Sequence, residues 1–150
     1  MSSKSFRTLV ENWLAAYDAL FSALEALPAE KRETPGICGD WNARQLVAHL
    51  AGWHYEAIRR YAEYAAGDPL DKTYDTDAFN AIQVEAREHL SWEQTLDDLR
   101  EAIDILHAQA QTLSERHAAA DPRYAAWLDG LIKEARHHGQ QVTAWLPDDS

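Results

Sequence analysis

A single cysteine, Cys38, stands in the 150 residues, so no internal disulfide can staple the chain, and this usage is compatible with a reducing compartment. No apolar run is long enough to cross a bilayer. The opening residues mix Lys4, Arg7 and Glu11 with apolar positions at helical spacing, which is not a signal-peptide pattern, and a cytoplasmic location is expected. Basic residues are scarce: 14 Lys and Arg face 25 Asp and Glu, for a net charge of −11. That balance argues against a nucleic-acid partner, because clustered cations supply most non-specific affinity for phosphate. The Arg59-Arg60 pair is flanked by Glu56 and Glu63. The six glycines form no phosphate-binding loop, and nowhere does a two-residue alternation mark a strand.

What is present is helical periodicity. Phe6, Leu9, Val10, Trp13, Leu14, Tyr17, Leu20, Phe21, Leu24 and Leu27 make one broad apolar stripe, closed by Pro28. After a loop with Pro35, Gly36 and Gly39, Asn42 with Gln45 reads as a capping box opening a second helix, which Gly67-Asp68-Pro69 ends. Residues 77–90 carry a shorter pattern. Ser91 with Gln94 is a second capping box, leading into a seam of Trp92, Leu96, Leu99, Ile103, Leu106, Ala110 and Leu113 that ends near 114–118. Asp121-Pro122 caps the last helix, which is expected to run through Val142, Trp145 and Leu146 to Pro147. The reading is one all-α domain over residues 1–150, a four-helix bundle with a short extra helix in the long connection. Most of the six tryptophans read as core fillers, and the aromatic surplus is compatible with a cavity wall or a homodimer interface.

Among seven histidines, the informative ones face the interior. At about 100° per residue His138 lies within the apolar arc of the last helix and His137 off it. Glu134 sits one turn earlier on nearly the same line, so the pair could chelate a divalent ion if a third ligand came from another helix. His49, one turn before Trp53 on the second helix, is that candidate. Two imidazoles and a carboxylate leave a coordination position open, as catalytic metal sites require. The plainer alternatives are an exposed Glu–His pair and a packed core histidine. His54 points further into the apolar face than His49, as a core residue or a competing ligand. Cys38 reads as a loop residue with no basic neighbour to activate it.

The pattern W-x-x-x-x-L-x-x-H-L-x-x-W over Trp41–Trp53, with His138-Gly139-Gln140-Gln141-Val142-Thr143-Ala144-Trp145-Leu146, resembles the DinB-like superfamily. That superfamily includes YfiT-type metal-dependent hydrolases and thiol-dependent enzymes such as mycothiol-dependent maleylpyruvate isomerase. The resemblance implies a DinB/YfiT-type bundle and a site for zinc or nickel formed by His49, Glu134 and His138. Glutamate at position 134, where histidine is commoner, resembles the mycothiol-dependent branch and implies a low-molecular-weight thiol as co-substrate. Gly52-Trp53, the Asn80 region and Ser91-Trp92-Glu93 also resemble the ClbS/DfsB group, whose members need not keep the metal ligands.

Two functions follow. One is a metal-dependent transferase or hydrolase acting on a small electrophile. The other is a metal-free helical bundle that binds or detoxifies a small metabolite in a stress or resistance setting.

Overall fold

Residues 5–147 are described by a computed structural model, and all regular structure in it is helical. In chain order the helices are α1 (Phe6–Glu25), α2 (Ala43–Ala65), α3 (Thr76–Ala86), α4 (Trp92–Gln111), α5 (Glu115–Ala120) and α6 (Pro122–Thr143), with a 3-10 turn at Ala29–Lys31. None of the described helices is long and apolar enough to cross a membrane. Backbone contacts divide the chain into two units, residues 1–43 with 113–150, and residues 44–112.

In the first unit, α1 packs along α6 and both touch α5. The stripe expected for α1 is its buried face, with Trp13 and Leu24 fully enclosed and Tyr17 and Leu20 at 1% exposure. Each such side chain stabilises the fold by about 1.5–3 kcal/mol relative to an exposed one. The start of α1 is closed chemically. Ser5 Oγ accepts the Thr8 N–H, and the Glu115 carboxylate accepts the N–H groups of Phe6 and Arg7, each at 2.9 Å. Those bonds satisfy orphan donors and place negative charge at the helix's positive end. Tyr17 donates to the Leu131 carbonyl and Lys31 to that of Trp145, so contacts advance together along both chain segments and α1 runs parallel to α6. Asp121 caps α6, with Pro122 at its first position. That helix stops at Thr143, leaving Trp145 and Leu146 in a following turn rather than in the helix.

In the second unit, the Ser91–Gln94 capping box forms in full. A Schellman motif ends α2: Asp68 N–H bonds the Glu63 carbonyl and Gly67 N–H that of Tyr64, with Gly67 at φ 90°. The third helix begins at Thr76 because Asp75 caps it by accepting the Ala78 N–H, and it ends at Ala86, short of the expected Leu90. Residues 112–114 break the fourth pattern, and Ser114 caps the unexpected α5 by accepting the His117 N–H. The helix count is thus one short helix more than the sequence suggested.

Gly52 lets α3 approach α2. A Cβ built there would lie 2.3 Å from Gln83 Cγ and 2.6 Å from its Cβ, atoms close to the α3 backbone. The variant Gly52→Ala is therefore expected to lose about 1–3 kcal/mol to overpacking. Alanine's helix propensity offsets about 1 kcal/mol of that at most. Thermal unfolding of the variant beside wild type measures the balance, and an unchanged or raised Tm would contradict the close approach.

Candidate metal centre

The last helix places Glu134 and His138 one turn apart, as their spacing predicts. His138 is 5% exposed, whereas the Glu134 side chain is 47% exposed, so an imidazole inside meets a carboxylate at the rim. The ring of His138 is held on both sides: Nδ1 lies 2.6 Å from Gln141 Oε1 and Nε2 2.9 Å from Glu134 Oε2. Both neighbours are acceptors. A neutral ring carries one N–H, so when Nδ1–H donates to Gln141, the Nε2 lone pair points at a carboxylate lone pair. When the ring proton sits on Nε2 instead, it donates to Glu134.

The second helix supplies His49, 2% exposed, whose Nδ1 donates to the carbonyl of Leu46 at 2.5 Å. That bond also selects the tautomer with its lone pair on Nε2. Histidines that bind metal through Nε2 characteristically tether Nδ1–H to a carbonyl or carboxylate, which fixes the ring and raises its basicity. His49 and His138 share this arrangement on separate helices. Imidazole and carboxylate donors of these kinds suit zinc or a neighbouring divalent transition metal.

His54 is a core residue. It is fully buried and donates from Nδ1 to the Leu50 carbonyl at 2.8 Å, and burial, only partly opposed by that bond, lowers its pKa to about 4. Of the remaining histidines, His89, His117 and His137 are exposed and His107 is half-buried.

Tyr17 and Cys38 both feel the charge of Glu134, a proximity that sequence reading did not give. Tyr17 has its phenol pKa pushed well above the ordinary value by burial and then by the Glu134 charge, so it stays a neutral donor to Leu131. Cys38 is half-buried in the turn closed by the Trp41 N–H to its carbonyl. Burial raises its thiol pKa, a hydrogen bond from Gln141 lowers it, and the Glu134 charge raises it again, with a net upward shift. Nothing in the local sequence links residue 38 to residue 141; only the packing of the loop on α6 does.

One face of α2 also carries Trp53 and Glu56 beyond His49. Trp53 donates from Nε1 to Asn80 Oδ1 at 2.7 Å, and its ring packs on Phe79 and Tyr74 with centroids 4.0 and 5.1 Å away. Glu56 is 7% exposed. Burial would raise its carboxyl pKa, yet bonds from Arg59, Tyr74 and Lys72 prevail and hold it below the usual value. Arg60, also buried, pairs with Glu63 and donates to the Leu70 carbonyl at 2.7 Å. The Arg59-Arg60 pair is thus neutralised by its own helix. Together these contacts tie the connector after α2 onto the helix that carries His49.

Comparison with known proteins shows the family and the fold. The family pattern of the mycothiol maleylpyruvate isomerase N-terminal domain matches residues 13–143. A Bacillus licheniformis protein provisionally named a metal-dependent hydrolase is 32% identical over 134 residues, 85% of this chain and 72% of that protein. The crystal structure of an uncharacterised protein from Escherichia coli UTI89 superposes with a TM-score of 0.80 at 16% identity, over 95% of this chain and 93% of that one, which shows a shared fold. The chain belongs to the mycothiol maleylpyruvate isomerase N-terminal domain family of the DinB-like superfamily and has its all-helical bundle fold.

Proposed function

We propose that this protein is a cytoplasmic metal-dependent enzyme in which His49, Glu134 and His138 hold one divalent ion, zinc or nickel, and a water or low-molecular-weight thiol attacks a small electrophile. The observation that carries the reading is the His138–Glu134 pair on α6, with Nε2 2.9 Å from Oε2 and Nδ1 2.6 Å from Gln141 Oε1. His49, tethered through Nδ1 to the Leu46 carbonyl on α2, is the third donor in this reading. The hydrolase relative and the thiol-enzyme family both lend support, the first toward water and the second toward a thiol.

A divalent ion held there supplies Lewis acidity toward the nucleophile or the electrophile. The chain's own residues do the rest. The backbone carbonyl of Leu46 and the amide of Gln141 keep both imidazoles in the tautomer that presents Nε2. Glu134 contributes the anionic donor and, at the rim, the side open to solvent. Cys38 is an unsuitable nucleophile, because its raised pKa keeps it a thiol near neutrality and the thiolate is the reactive form. In this reading the attacking group is the water or thiol from solution.

Untagged protein purified without chelator tests this by elemental analysis before and after reconstitution with zinc or nickel. About one ion per chain is expected. The loaded protein should consume electrophiles either alone, which marks a hydrolase, or with an added thiol, which marks a transferase. Protein that stays metal-free after reconstitution would overturn the proposal and favour the metal-free binding reading.

A further inference from the structure

Residues 68–75, between α2 and α3, form no regular structure, and most of them are exposed. Leu70 is 70% exposed, so apolar burial does little to hold this segment down. Bonds to α2 hold it instead. Lys72 Nζ lies 3.2 Å from Glu56 Oε2, and the Tyr74 phenol donates to the same oxygen. Two residues apart in an extended segment, the two side chains leave the backbone on one side and converge on one carboxylate. The Lys72 ammonium also lies 5.4 Å from the centre of the Tyr74 ring, which joins them into one unit. That ring packs edge-on against Trp53 and Phe79, with centroids 5.1 and 5.8 Å away.

The same bonds can be given up without disturbing either helix. Glu56 keeps Arg59, a partner on its own helix at 2.6 Å, when Lys72 and Tyr74 leave. The Lys72 side chain is half-exposed, so water can take over its charge. At one edge of the segment Gly67 ends α2 and at the other Asp75 caps α3, and both closures are local. We propose that residues 68–74 are a strap latched on the Glu56 carboxylate, which opens as a unit while α2 and α3 stay folded and so uncovers the Trp53 and Phe79 rings. Trp53 stands one turn beyond His49, but the device does not depend on a metal there.

Trypsin is the probe, because Lys72 is both a latch residue and a cleavage site. With trypsin scarce, the rate of cutting at the Lys72–Thr73 bond follows the population of the open strap. Glu56→Gln keeps the shape of the side chain and removes its charge, and it should raise that rate about 10-fold through the loss of charge-assisted bonds. Tyr74→Phe keeps the ring on Trp53 and loses only the phenol donor, so it should raise the rate by less. In both variants the rise should be confined to this bond, with cutting at Arg100 on α4 and the far-UV circular dichroism unchanged. A Glu56→Gln rate no higher than that of wild type overturns the proposal. So does an equal rise at Arg100, which marks unfolding of the whole unit in place of a strap.

Discussion

Replacement of His138 by alanine should abolish stoichiometric metal, and with it any metal-dependent turnover, while leaving the helices folded. His138 is the more enclosed of the two donors on α6, and its loss leaves that helix only Glu134, half-exposed where water competes for any ion. His49→Ala should behave in the same way. Glu134→Gln keeps the size of the side chain but removes the anionic donor, so weakened rather than absent binding is expected. Exposed His137, adjacent in sequence, is the control: His137→Ala should retain one ion per chain. The stability readout is independent of catalysis. Metal at about 100 times its Kd stabilises the native state by about 2.7 kcal/mol. For a chain of this size that corresponds to a Tm rise of roughly 5–10 °C. Wild type should show that rise on zinc addition and lose it with chelator, whereas His138→Ala should respond to neither. Full metal content in His138→Ala would refute the ligand assignment.

The second large effect is on pH. His54 is buried and neutral, with its pKa lowered to about 4 by burial against an ordinary 6.5. A depressed histidine resists protonation when folded, while the unfolded chain takes up the proton readily. Stability therefore falls as pH drops from about 6.5 toward 4. The full difference of about 2.5 pH units corresponds to about 3 kcal/mol, with roughly 2 kcal/mol already lost at pH 5. Carboxylates held below their usual range, Glu56 and Asp121, add to acid destabilisation only at lower pH, where carboxylates begin to protonate. Urea denaturation of metal-free protein between pH 7 and 5 isolates the histidine contribution. His54→Gln should flatten that slope, even if the variant starts from lower stability. A slope unchanged in the variant would mean that His54 is not the group responsible.

Chain punctuation was the most legible part of the fold. Ser91 with Gln94 and Asp121-Pro122 announce their helix starts because the capping bonds are local, and Gly67 ends α2 because only a glycine sits comfortably at its φ of 90°. The six-residue α5 was illegible. Its Ala118-Ala119-Ala120 run has too little amphipathic repeat to register, and a side-chain cap on Ser114 resembles any polar loop. The last helix ends before Trp145 because apolar residues in a packed turn keep up a helical spacing without helical bonds. At the candidate site, the Glu134–His138 spacing and the inward face of His138 could be read from periodicity. The tethers to Leu46 and Gln141 could not, since they depend on rotamers, and the approach of Cys38 to Gln141 depends on a loop folding back over a hundred residues.

The carboxylate of Glu115 that closes the start of α1 has a further consequence, for the order in which the chain can fold. Of the described helices α1 is made before the others, with its Ser5 cap at hand, yet the Glu115 carboxylate and its packing partner α6 come only with the last third of the sequence. Residues 44–112, contiguous and rich in local contacts, can reach their own structure in the meantime. The apolar stripe of α1 therefore meets its α6 partner only after residues 122–143 have been made.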